Sequence, residues 1–226
     1  MSAIRPKSDT AARRFTTLRA ARCLQMTDRC VSEAPKATFK DLALLPDELR
    51  AEIIDGVIIE KAGPTYEHGI AQRALGGFLG RRFHRSGRDQ TGGHWPGGWW
   101  IGSEIDVEYE PHQVYCHDLV GWRRERAVAE PSGRPIRSRP DWVCEILSES
   151  NERNDRVNKF RVHQAARVPH YWLLDPAERV LVVHRFDSSG YRIVLTATTG
   201  EPVRAEPFAD VEVRIDVMFG DEPDDE

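Results

Sequence analysis

The chain has 226 residues, 40% of them hydrophobic and 30% charged, with a formal net charge of −4. That is enough apolar material for one domain core plus tails, and it excludes a basic coat for DNA, so a nucleic-acid partner would need a local basic face. No apolar run approaches the ~20 residues of a membrane span, so no membrane partner is expected. Cys23, Cys30, Cys116 and Cys144 show no C-x-x-C spacing. This suits a reducing cytoplasm better than a disulfide framework. Cys116 and Cys144 read as small buried hydrophobes. A zinc site built from Cys116, His117 and Cys144 is disfavoured, because adjacent strand residues point to opposite faces.

In chain order, residues 1–35 read as a disordered basic arm with Arg5, Arg13, Arg14, Arg19, Arg22 and Arg29, lacking the continuous apolar stretch of a secretory signal. A domain over 36–216 and an acidic tail over 217–226 are expected to follow. Residues 45–52 suggest a short helix or extended lead-in. Residues 53–60 then read as a hairpin, because β-branched runs flank Asp55-Gly56. Ile70, Ala74, Leu75, Phe78, Leu79 and Phe83 recur at helical spacing over 66–85. The glycine-rich loop 92–98 lacks the spacing of a phosphate-binding P-loop. Strands are expected over 99–109 and 114–122, then an arginine-rich loop over 123–139 and a strand over 141–147. Ser148 to Asn151 supply helix-capping chemistry for a helix reaching about Ala166. Strands 170–174, 179–186 and 190–197 complete an α/β (α+β) domain with a central mixed sheet.

Three residues carry the chemistry. Asp118 and Glu145 each interrupt an apolar strand run, and Lys159 follows Glu145 by 14 residues on the next helix. Burying an unpaired carboxylate costs several kcal/mol or shifts its pKa, so each of these charges needs a cause. Hard divalent ions take carboxylate and carbonyl oxygens. Asp118, Glu145 and the Ile146 carbonyl could together hold Mg²⁺, with Mn²⁺ as an alternative. A lysine beside them could activate water for phosphodiester hydrolysis. The plainer readings are an Asp118 paired with an arginine of the 123–139 loop, and a surface Lys159 paired with Asp155 one helical turn back.

Glu52–Gly56, Glu67-His68, His117–Val120, Pro140–Ser148, Asp155–Lys159 and Val168–Pro176 together resemble the Uma-two family of endonucleases, within the PD-(D/E)XK restriction-endonuclease-like superfamily. The resemblance spans roughly residues 38–200. It implies a restriction-endonuclease-like core, a sheet flanked by helices, and metal-dependent cleavage of DNA. It maps the two acidic ligands onto Asp118 and Glu145 and places Glu52 facing the metal. The superfamily lysine usually lies two residues after the second acid, where this chain has Leu147; Lys159 would reach the same space from the following helix. His117 stands where the superfamily often has proline. Asp141 looks like part of the motif but more simply caps a loop.

Around this site, His68 is a candidate neighbour, and Arg81, Arg82, Arg123 and Arg124 are candidate phosphate contacts. Tryptophans 95, 99 and 100 could stack on bases or join subunits. Double-strand cleavage needs two sites, which a homodimer would supply. Two other readings stay open: a non-catalytic module of the same fold that binds nucleic acid or protein, and cleavage of RNA.

Overall fold

The Asp55-Gly56 turn opens the sheet. Asp55 and Gly56 take φ of 53° and 82°, which suits a two-residue hairpin loop. Gly56 has a second reason to be glycine: a Cβ there would come within 2.5 Å of the Lys36 Cβ. The computed structural model describes residues 35–46, 48–84, 87–88, 94–148 and 154–221. Among them, helix α1 (Phe39–Leu42) precedes strands β1 (Ala51–Ile54) and β2 (Val57–Glu60). The expected lead-in at 45–52 is therefore corrected. The hairpin register begins at Ala51↔Glu60, so Glu52 sits on a strand.

Helix α2 (Tyr66–Leu79) starts at Thr65, whose side chain accepts the His68 N–H, and buries Ala71, Leu75, Phe78 and Leu79 against the sheet. It comes close because Gly76 has no side chain: a Cβ there would meet Leu119 at 3.2 Å. A π-helical turn, Gly80–His84, ends it. A short pair follows, β3 (Gly87–Arg88) with β4 (His94–Trp95). The long strands β5 (Trp99–Glu110) and β6 (Gln113–Arg123) then pair along their length. Strand β7 (Trp142–Ile146) is buried at every residue. A π-helical segment, Asn154–Lys159, leads into α3 (Phe160–Ala165). The capping residues expected at 149–151 lie outside the described residues.

Strands β8 (His170–Asp175), β9 (Val180–Asp187) and β10 (Gly190–Thr198) complete the main sheet. Its order is β10-β9-β8-β7-β6-β1-β2, with β5 on the other edge of β6. Only β7 and β8 are parallel among these neighbours, so the sheet is mixed. A small pair, β11 (Pro202–Val203) with β12 (Val213–Arg214), and helix α4 (Ile215–Met218) close the fold. One core cluster lies under α2 and α4. A second, including Val143, Leu147 and Tyr171, lies on the opposite face and packs against Phe160 of α3. The folded body runs past the expected boundary at 216, because Met218 and Phe219 are buried.

The sheet forks at β6. Strand β5 covers one edge of β6, whereas the other edge meets β1 only at Val114 and β7 at Leu119–Gly121. The backbone of 115–118 faces the gap between β1 and β7. Buried backbone groups need partners, and here side chains provide them. Glu52 Oε1 accepts the Cys116 N–H at 3.1 Å, Lys61 Nζ donates to the Cys116 carbonyl at 2.9 Å, and Gln72 donates to the Asp118 carbonyl at 2.9 Å.

Candidate active site

The fork gathers charge. Asp118, on β6, accepts the Ile146 N–H on Oδ2 at 2.8 Å. Its Oδ1 lies 3.6 Å from Lys61 Nζ and 3.5 Å from His68 Nε2. Lys61 is also 3.6 Å from Glu52 Oε1, which lies 3.0 Å from Lys159 Nζ. Lys159 then reaches Glu145 Oε2 at 2.8 Å. The result is one buried chain of alternating sign: Glu145, Lys159, Glu52, Lys61, Asp118, His68. All but Lys61, which keeps 8% of its side chain exposed, lie among the buried residues. Buried charges persist when paired and hydrogen-bonded, as each is here.

The plainer readings of Asp118 and Lys159 are thereby set aside. The arginine of the 123–139 loop goes to Asp141 instead: Arg126 Nε is 2.8 Å from Oδ1, and the Arg123 N–H donates to Oδ2 at 2.8 Å. Asp141 thus clamps the loop, as a cap would. Lys159 is 1% exposed and turned inward. The Asp155 side chain lies outside the described set.

The environments of the two expected acidic ligands differ. Burial pushes up the Asp118 carboxyl, but the His68 hydrogen bond and the charges of Lys61 and Lys159 outweigh it and hold the pKa well below the usual range. Burial dominates for Glu145 and pushes its pKa up to about 7 despite Lys159. Pairs whose environments drive their pKa values apart mark acid–base sites. Glu52 is lowered, burial being overcome by Lys159 and Lys61. Lys61 is raised: burial and Lys159 oppose its charge, and Asp118, Glu52 and Glu145 prevail.

Behind Glu145 lies a shell of rings. His117 Nδ1 is 2.5 Å from Glu145 Oε1, and its Nε2 is 2.9 Å from the Tyr109 hydroxyl. Burial, then Lys159, lower the His117 pKa to about 3, so the imidazole is neutral and the contact to Glu145 is a hydrogen bond. Burial keeps Tyr109 a phenol, with its pKa well above the ordinary value. His117 packs on His163 of α3, whereas Leu119, two residues on, packs under α2. Period 2 would put them on one face. The strand turns at Asp118, across from Glu104, which lies between the paired residues Ser103 and Ile105 and takes φ of 54°. Positive φ is strained for glutamate, and such strain concentrates at functional sites.

Glu104 joins the site's outer side. Oε1 accepts from Gln72 at 2.8 Å, and Oε2 pairs with Arg50. Ligand atoms of His68, Glu104 and Asp118 lie within 4.8 Å of one another, close enough to share a metal ion. One imidazole and two carboxylates suit a borderline-hard divalent cation such as Mn²⁺, and Mg²⁺ through its oxygens. The expected set of Asp118, Glu145 and the Ile146 carbonyl shares Asp118 with this cluster. Glu145 Oε1 and Oε2 meet His117 and Lys159, and the Ile146 N–H meets Asp118.

The expected phosphate contacts divide. Arg81 is exposed. Arg82 is 5% exposed, with its guanidinium over Phe78 at 3.9 Å and Trp95 at 4.6 Å, so it serves the core. Arg124 stacks on Trp100 at 3.6 Å and donates to the carbonyls of Trp99 and His84. Arg123 keeps 41% of its side chain exposed beside Glu125. Trp99 is buried, and Trp100 lies half-buried beneath Arg124, which leaves little of either ring for bases. Sequence reasoning missed Lys61, Glu104 and the partnership of His117. Lys61 carried one faint signal, a cation closing the β2 run.

The mixed sheet with helices on both faces carries this site at its fork, and its fold is shared with a solved protein. The chain aligns with the crystal structure of "a putative nuclease belonging to DUF820 from Anabaena variabilis", at a TM-score of 0.62 and 21% identity, over 81% of this chain and 97% of that one. Residues 37–218 match the model of the Uma2 family, described as "Putative restriction endonuclease", and the chain belongs to that family. No curated protein matches the sequence. Among the described residues, no helix is long and apolar enough to cross a membrane.

Proposed function

We propose that this protein is a divalent-metal-dependent endonuclease that hydrolyses DNA phosphodiester bonds at the fork of its sheet. The observation that carries the reading is the buried chain Glu145–Lys159–Glu52–Lys61–Asp118–His68. Concentrating three carboxylates and two lysines in a core costs too much to serve the fold alone, since apolar side chains of similar volume often stabilise as well or better. Family membership supports the same reading.

In this proposal, Asp118, His68 and Glu104 hold Mg²⁺ or Mn²⁺. When bound, the ion lowers the pKa of a coordinated water and offsets phosphate charge. Glu145, with its pKa near 7, accepts a proton from the attacking water at neutral pH. His117 donates from Nδ1 to the ionised Glu145 and keeps the carboxylate turned toward Lys159. Lys159 and Lys61 offset the negative charge that grows on the phosphate. Of the four arginines expected at phosphates, Arg81 and Arg123 are the two exposed enough to meet flanking phosphates.

Cleavage of supercoiled plasmid with Mg²⁺ or Mn²⁺, beside Glu145→Gln and Lys159→Met, tests this. Metal-dependent nicking by the wild type, lost in both folded variants, is expected. A folded wild type that nicks neither DNA nor single-stranded RNA would leave the non-catalytic binding module. RNA cleavage alone would overturn the choice of DNA.

A further inference from the structure

The second lysine of the charged chain has a position that a metal ion would otherwise suit. Lys61 Nζ is 3.6 Å from Glu52 Oε1 and 3.6 Å from Asp118 Oδ1, so it lies between two carboxylates that converge from neighbouring strands. In two-metal nucleases the ions sit about 3.5–4 Å apart and clamp the phosphate between them. Here Asp118 Oδ1 faces His68 Nε2, at 3.5 Å, on one side and the Lys61 ammonium on the other. Resting on the nuclease reading above, we infer that Lys61 is a permanent cation in the second-ion position, and that the site takes a single divalent ion, at His68, Glu104 and Asp118.

Three observations support this. Lys61 is fastened: its Nζ donates to the Cys116 carbonyl at the fork, and its own N–H donates to the Arg50 carbonyl at 2.8 Å. Withdrawing it would take this donor from that carbonyl and one cation from each of two carboxylates. Charge gives the same count. With Glu145 ionised, Lys61 and Lys159 interleave with Glu52, Asp118 and Glu145 to leave one net negative charge, while Glu104 is paired with Arg50. One divalent ion overturns that charge; a second would stand beside an ammonium with no carboxylate left to offset it. Finally, Lys61 reaches the site from the end of β2 and Lys159 from the π-helical segment before α3, so the two cations flank Glu52 from separate elements. An ammonium placed there supplies fixed charge to a non-bridging phosphate oxygen, as a second ion would, but it cannot activate a water.

Mn²⁺ binding measured by calorimetry and electron paramagnetic resonance decides the matter. The wild type is expected to bind one ion with an uncoupled signal. Lys61→Met is expected to bind two, or one at least tenfold more tightly, and Lys61→Arg to stay at one. Lys61→Gln keeps a donor for the Cys116 carbonyl and replaces the Met variant if that one fails to fold, as judged by circular dichroism. A wild type that binds two ions or none overturns the inference. So does a folded neutral variant with unchanged stoichiometry and affinity. A wild type that cuts plasmid yet binds two ions sinks only this inference; one that binds a single ion and cuts nothing sinks the nuclease reading itself.

Discussion

The main-chain N–H of Ile146 donates to Oδ2 of Asp118 at 2.8 Å. It continues the joint between β6 and β7 beyond their last ladder pair, Leu119↔Cys144. A side chain thus replaces a strand where the sheet divides. Asp118 therefore has two duties, holding the fork with one oxygen and facing His68 and Lys61 with the other. Asp118→Ala is expected to destabilise the fold by ~3–5 kcal/mol, because Lys61 and the Ile146 N–H lose a buried partner. Asp118→Asn keeps an oxygen for Ile146 and should cost less stability, while Mn²⁺ binding falls at least as far as in the Ala variant. Denaturant melts beside calorimetry would separate the two duties.

Lys159 bridges Glu52 and Glu145 at 3.0 and 2.8 Å. Lys159→Met leaves two buried carboxylates facing each other, and a loss of ~3–5 kcal/mol is expected. In Lys159→Met/Glu145→Gln the repulsion is relieved, so much of that loss should return. Denaturation of the four proteins forms a double-mutant cycle. Simple additivity would show that Lys159 and Glu145 do not act as a pair.

Asp118 and Glu145 stood out in the sequence because each breaks an apolar strand run, and a broken pattern in a buried run demands a cause; Lys159, in the polar stretch 151–159, stood out only by its spacing after Glu145 and by the family resemblance. The hairpin at Asp55-Gly56 and the strand pair β5–β6 were legible for the same kind of reason, a period with a turn between. Lys61 was not, because it directly follows Glu60 of the exposed edge strand β2, where any polar residue reads as solvated. Glu104 was not, because alternation cannot reveal a positive φ. The fork itself depends on where β1 and β7 leave β6, which is a matter of pairing between distant segments. Arg82 and Arg124 misled for a related reason: a guanidinium on an aromatic face looks, in one dimension, like any other surface cation.

His163 is fully buried among the rings of Tyr109, Tyr115, His117 and Tyr171, and among the described residues neither ring nitrogen has a hydrogen-bond partner. Burial, followed by His117 and Lys159, drives its pKa well below the ordinary value. The unfolded chain therefore binds a proton that the folded chain refuses. Stability from this residue is fully present above pH ~6.5, the unfolded value, and is lost steadily as pH falls below it. His117, with its folded pKa of about 3, adds the same slope between pH ~6.5 and 3. His163→Phe should make the metal-free protein less sensitive to acid between pH 6.5 and 5. Thermal melts across that range would show a shallower decline than the wild type, and equal slopes would mean that His163 is already protonated in the fold.

Replacing His117 tests the proton chemistry without touching a metal-holding residue. Its Nδ1–H favours the ionised form of Glu145, and Tyr109, 2.9 Å from Nε2, fixes which nitrogen carries the proton. His117→Phe removes that donor and keeps the ring packing on Tyr109 and His163. With burial unopposed on that side, Glu145 should hold its proton to a higher pH than about 7, the value burial already gives it. Under the proposed role of Glu145 as base, the rising limb of kcat/KM against pH moves to higher pH, by ~1 unit for the loss of one charge-assisted hydrogen bond. Mn²⁺ affinity, which depends on Asp118, His68 and Glu104, should stay within a factor of a few. A purely structural role for His117 would instead lower activity by the same factor at every pH. An unshifted limb in a folded, metal-binding variant would remove Glu145 as the base and return the water to Lys159.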